Sequence, residues 1–158
     1  MKRSGFTMIE LIFVIVILGI LAAVAIPKLA ATRDDAKAST AATEVAGLLT
    51  ELGTYYTGHG TLGAKPSAIT NVKLKESATD ANITNGSFLT YRDDTDAECI
   101  IITVNKVTDG NITVKAGAGD TGTCKGVQAA IAKTLKITAL TTSAGKDIVF
   151  GGSSNLAY

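Results

Sequence analysis

The chain is short of the parts from which most enzymes are assembled. It has no tryptophan, one histidine, two cysteines and two prolines in 158 residues. His59 is the sole imidazole, set between Gly58 and Gly60 in a stretch that reads as loop. No Ser/His/Asp order, Cys/His pair or phosphate-cradling glycine loop is present, so neither catalysis nor a resident cofactor is expected. Aromatic residues make up 5% of the chain and the formal net charge is +1. The basic–aromatic clusters of nucleic-acid surfaces are missing, and no nucleic acid is expected as a partner. There is no internal repeat. Two cysteines, Cys99 and Cys124, fit one disulfide in an oxidising compartment but do not prove it.

Charge is also missing from one long stretch. Phe6 to Ile26 is a run of 21 residues in which Glu10 alone is ionisable. At 1.5 Å per residue it makes about 31 Å of helix, enough to cross a bilayer core. The run is too long for a signal-peptide core, and no polar small-residue cleavage site precedes Pro27. A plain membrane anchor is the simplest reading. Lys2 and Arg3 lie before the run, with Lys28, Arg33 and Lys37 after it, which nearly ties the positive-inside count. The cysteine pair tips orientation towards a cytoplasmic N-terminus with the remainder outside. Glu10 does not suit an anchor, because a carboxylate near mid-membrane costs about 3 kcal/mol. It either snorkels to the interface or meets a partner.

Met1-Lys2-Arg3-Ser4-Gly5, then Phe6-Thr7-Met8-Ile9-Glu10, then an apolar run ending Gly19-Ile20-Leu21-Ala22-Ala23-Val24-Ala25-Ile26-Pro27-Lys28, resembles the N-terminus of type IV pilins and type II secretion pseudopilins. The resemblance covers about the first 35 residues. It implies a leader over residues 1–5, cleavage by a prepilin peptidase between Gly5 and Phe6, and N-methylation of Phe6. It also implies a pilin-like α+β fold in which a long helix packs on a small antiparallel sheet. Cleavage would place a new amine on Phe6, one helical turn from Glu10. A buried charge without its partner costs several kcal/mol, so pairing Glu10 with the Phe6 amine of a staggered neighbour would select register. Gly19 and Pro27 are the weak points of this helix, costing about 1 and about 3 kcal/mol respectively. In related filaments such a segment loses helicity on assembly, and the same is expected here.

After the apolar segment at 6–27 the helix changes character. Ala38, Ala41, Val45, Leu48, Leu52 and Tyr55 recur at spacings of three and four, the stripe of an amphipathic helix. The spacing predicts one helix from Phe6 to Tyr56, about 75 Å if unbroken, with residues 28–56 as its amphipathic half. Gly53 would mark fraying. Residues 57–158 then form an α+β head, and 57–66 connect helix to sheet as a loop. Ser67–Ala81 reads ambiguously, with a short helix as one option. Asn85-Gly86 is a turn before a strand at Phe88–Arg92. Cys99–Val107 and Ile112–Ala116 form a hairpin about Asp109-Gly110. Thr123–Leu135 reads as a short helix and Asp147–Phe150 as a final strand. A Cys99–Cys124 bridge closes a loop of about 25 residues, a stabilisation of roughly 3 kcal/mol in the chain-entropy model. Family members bracket a C-terminal region this way, but here 34 residues follow Cys124.

Three weaker patterns remain. Asp94, Asp96 and Glu98 alternate as Ca²⁺ ligands would, without the glycine and distal glutamate of an EF-hand loop, and a solvated acidic turn is the simpler reading. Asn82 and Asn111 head N-x-Thr acceptors, each with an Asp two residues upstream (Asp80, Asp109) as in some bacterial glycosylation sites. Residues 28–98 hold seven Lys/Arg against ten Asp/Glu, and residues 99–158 six against three, a pattern suited to contact between staggered subunits.

The resemblance therefore implies a non-enzymatic filament subunit, stored by one pass in a bacterial inner membrane. Its partners would be copies of itself and related pilins, the peptidase, and an assembly platform with its ATPase. Ala25-Ile26-Pro27-Lys28 and the modest length look like the pseudopilin branch. A type IV pilus pilin is the alternative, and a monomeric membrane-anchored periplasmic binding module the rival from another class.

Overall fold

Helix α1 spans Met8–His59, starting two residues later and ending three residues later than its periodicity suggests. The structure, a computed structural model, describes residues 5–74 and 81–151. Leader residues 1–4, Asp80 and part of the ambiguous segment before Ala81 lie outside them. The chain divides into two units, Met1–Asp34 and Asp35–Tyr158. The first contains the apolar part of α1. The second contains the amphipathic part and the head.

In the second unit the foreseen stripe is the buried one. Ala38, Ala41, Val45, Leu48 and Leu52 are buried, with Tyr55 packed at their edge. Threonine is a mediocre helix former, and α1 places its threonines where they bond backward. Thr40, Thr43, Thr50, Thr54 and Thr57 each donate to the carbonyl four residues earlier. The stretch from Thr57 to His59, which reads as loop by composition, is therefore a last helical turn. His59 Nδ1 lies 3.0 Å from the Tyr55 carbonyl oxygen and its ring stacks on that tyrosine at 4.0 Å. Gly60, at φ +70°, then closes the helix in the left-handed conformation.

Gly53 does not mark fraying either. The Phe150 ring lies 3.1 Å from where a Cβ would be, so the glycine seats the end of the head against α1. Gly47 is different: its face is exposed, and a Cβ added there would have nothing within 4 Å. Gly47→Ala is expected to stabilise the chain by about 0.5–1 kcal/mol, read as a higher thermal midpoint in detergent.

The head is a meander flanked by one longer helix. Strands β1 (Phe88–Arg92), β2 (Glu98–Lys106), β3 (Asn111–Ala116) and β4 (Lys146–Val149) pair antiparallel in that order. Helix α2 (Pro66–Ile69) is a single turn that starts on the last residue of the expected loop and runs into the ambiguous segment, and α3 (Gly122–Thr134) joins β3 to β4. The architecture is the α+β one expected. Alternation sets the inner face: Ile100, Ile102 and Val104 of β2 and Ile112 and Val114 of β3 are fully buried. They form one core with the α1 stripe, Leu62, Leu89 and Val127 and Ile131 of α3. The Asp109-Gly110 turn forms as foreseen, with Gly110 at φ +60° and the Tyr56 ring lying where its Cβ would project. Tyr91 ties β1 to α1 by donating its hydroxyl to Glu44 Oε2 at 2.7 Å. Burial, then the Glu44 contact, push that phenol well above its ordinary range, so it stays a donor.

Candidate functional site

The first unit presents a helix with no covering. Every large apolar side chain from Phe6 to Leu29 is exposed, Phe6 to 87%. The helix is long and apolar enough to cross a membrane. Such a surface has no stable place in water, so lipid or another protein must cover it.

At its start, Gly5, Phe6 and Thr7 precede the first helical turn. Thr7 caps that turn. The Glu10 amide donates to Thr7 Oγ1 at 3.4 Å, while Glu10 Oε2 accepts from the Thr7 amide at 2.8 Å and from its hydroxyl at 2.7 Å. This reciprocal box answers the donors that a helix start leaves open. The sequence reading missed it, although a threonine three residues before a glutamate at the head of an apolar run is its signature. Glu10 thus has a partner within its own chain, through one oxygen. That arrangement makes it tolerable at a membrane surface and leaves the carboxylate close to Phe6.

The two weak points are helical in the isolated chain. α1 continues through Pro27, whose missing N–H leaves the Ala23 carbonyl without its usual partner. Around Gly19 nothing lies within 4 Å of an added Cβ, so packing inside the subunit does not require a glycine there.

The head is closed by the Cys99–Cys124 disulfide, which links the start of β2 to the first turn of α3. Asp93 organises that junction. Its carboxylate accepts from the Thr95 amide and hydroxyl, the Ala97 amide and the Thr121 hydroxyl. Thr121 in turn caps α3 through the Cys124 amide. Gln128 donates to the carbonyls of Cys99 and Gly117, holding the far side. Burial alone would raise the Asp93 carboxyl, but the hydrogen bonds from Thr121, Thr95 and Ala97 outweigh it and hold the group below its ordinary range. A depressed folded-state pKa contributes stability that is present above the unfolded value and lost as pH falls through the folded one. The thermal midpoint is therefore expected to drop as pH falls below about 4, and Asp93→Asn should flatten that dependence.

The candidate calcium residues are engaged with cations of the same chain. Asp94 pairs with Lys37, Glu98 with Arg92, and Asp96 lies 3.6 Å from Arg92. Of the N-x-Thr acceptors, Asn82 is exposed. Asn111 opens β3, its side-chain oxygen accepting from Asn105 at 2.9 Å.

An uncovered apolar helix with a carboxylate box at its head, followed by a disulfide-closed α+β unit, gives a pilin-like α+β architecture. Residues 1–26 match the model of the prokaryotic N-terminal methylation motif. Residues 1–26 thus carry a prepilin-type cleavage and methylation segment, of the kind found in type IV pilins and pseudopilins. No curated protein and no solved structure matches it.

Proposed function

We propose that this chain is a structural subunit of a type IV-like filament, and within that class a type II secretion pseudopilin. The observation that carries the filament reading is the fully exposed apolar helix headed by Phe6 and Glu10. Prepilin peptidase cleaves between Gly5 and Phe6, and Phe6 is N-methylated. The subunit waits in the inner membrane with its N-terminus in the cytoplasm and its head in the periplasm, where the disulfide forms. An ATPase-driven platform then lifts it into the filament, and the apolar helix exchanges lipid for neighbouring helices. Ala25-Ile26-Pro27-Lys28 and the size of the head favour the pseudopilin over a pilus pilin.

Mass spectrometry of the protein from its own membrane tests the core of this reading. The expected species begins at Phe6 and carries one added methyl group. Functional protein that retains Met1 would reject it. Deleting the gene separates the two branches: loss of enzyme release with surface pili intact marks a pseudopilin, and the reverse marks a pilin.

A further inference from the structure

The two N-x-Thr acceptors share one pattern along the chain, and the fold treats them differently. Asn111 opens β3, an inner strand with β2 on one side and β4 on the other. Its backbone pairs with Lys106 and Val149, and its side-chain oxygen accepts from Asn105. The Thr113 hydroxyl of the same acceptor is also engaged, accepting from Asn105 Nδ2 at 2.7 Å and donating to Asp147. An enzyme that must hold this segment in its own cleft would first have to draw out a strand paired on both edges. That breaks backbone hydrogen bonds to both neighbours.

Asn82 lies outside the sheet, in an irregular stretch before β1. Exposure alternates along it: Asn82 is exposed, Ile83 is buried and Thr84 is exposed. Ile83 anchors the stretch, with its side chain in the core and its amide donating to the Ala64 carbonyl at 3.0 Å. Asn82 and Thr84, the two residues an acceptor must present, are left at the surface on either side of that anchor. The Asn82 side chain forms no hydrogen bond among the described residues. Thr84 opens the Asn85-Gly86 turn, which the Ser87 amide closes by donating to the Thr84 carbonyl at 3.0 Å, with Gly86 at φ +87°. An acceptor on a surface turn is where glycosylation of a secreted domain is placed.

We propose that Asn82 is a site of N-linked glycosylation on the folded head and that Asn111 is not. The donor is an oligosaccharide carried on a polyprenyl diphosphate. A bond forms between the sugar C1 and Asn82 Nδ2, and the bond from C1 to the diphosphate oxygen breaks. The polyprenyl diphosphate leaves with that electron pair, and Nδ2 gives up one proton to a base of the transferase. The Thr84 hydroxyl is the group that the transferase recognises. The assignment rests on the filament reading only in placing the head outside the cytoplasm.

Intact mass and peptide mapping of the chain from its own membrane test it. The expected chain starts at Phe6 and carries one oligosaccharide on the peptide that contains Asn82. Asn82→Gln and Thr84→Ala are each expected to abolish the sugar increment, Thr84→Ser to keep it, and Asn111→Gln to leave it unchanged. Asn82 and Thr84 are exposed, so these variants should accumulate as folded, processed protein and the lost increment reports the site itself. A chain from Phe6 with the mass of the methylated polypeptide alone overturns the glycan and leaves the filament reading standing. Sugar on Asn111, or an increment that survives Asn82→Gln, overturns the assignment as well. Functional protein that retains Met1 rejects the filament reading instead, and the increment on Asn82 is then still read independently.

Discussion

Glu10→Gln is expected to leave a chain that folds, inserts and is cleaved, yet builds almost no filament. The substitution preserves shape and keeps an acceptor for Thr7, so the cap at the head of α1 survives in weakened form. What it removes is the negative charge. In the proposed filament, a subunit cleaved after Gly5 would bring a positive amine on Phe6 into an environment of exposed Phe13, Ile9 and Ile12 side chains. Packed among such helices, an unpaired ammonium costs about 3–5 kcal/mol. That corresponds to a loss of roughly two to four orders of magnitude in the equilibrium for adding each subunit. In the single chain one Glu10 oxygen is held by Thr7. On the proposed reading, assembly would redirect a carboxylate that is already at the helix head. Quantifying sheared filaments against the processed membrane pool checks this. Filaments at wild-type yield from the Gln variant would remove Glu10 from the register mechanism.

The second large effect falls in the head. Gly117→Ala is expected to cost about 3 kcal/mol or more, at the upper end of overpacking penalties. A Cβ on Gly117 would lie 2.2 Å from the Glu98 carbonyl oxygen and 2.5 Å from its carbon. These are backbone atoms of β2 and cannot rotate aside. The Gly117 amide also donates to the Cys99 carbonyl at 2.9 Å, while its own carbonyl accepts from Gln128. Relief of the clash would therefore pull on the disulfide junction. Gly47→Ala makes the internal comparison, since the same change of side chain meets open space there. Thermal melts of the two variants should move in opposite directions. A Gly117→Ala midpoint equal to wild type would show that the junction can shift at little cost.

How much of this was legible beforehand follows from the range of the interactions. The α1 stripe is periodic along the chain, so its buried face could be named from Ala38 to Leu52 without knowing what covers it. The hairpin announced itself through Asp109-Gly110. The helix end misled, because glycine and threonine near His59 read as loop. Backward bonds from Thr57 and the Tyr55–His59 stack extend the helix instead. Gly53 misled for a related reason: its purpose is set by Phe150, almost a hundred residues away. The acidic run at 93–98 reads along the chain as a solvated turn, with Asp94, Asp96 and Glu98 as weak ligand candidates. Folding divides it, sending Asp93 to Thr121 and Asp94 to Lys37, and setting Asp96 and Glu98 beside Arg92.

The long apolar N-terminal segment is written in the sequence because its physics is local. A run of 21 residues with a single charge, a glycine–phenylalanine junction and a carboxylate one turn later act through spacing along a single helix. No tertiary contact is needed to see them, and the matched motif covers just those residues. The junction around Asp93, the close approach at Gly117 and the contrast between Asn82 and Asn111 were decided by tertiary structure alone. Each depends on which distant segments meet and on whether water is excluded where they do. Strand pairing and helix packing settle that, and no spacing rule along the chain encodes it.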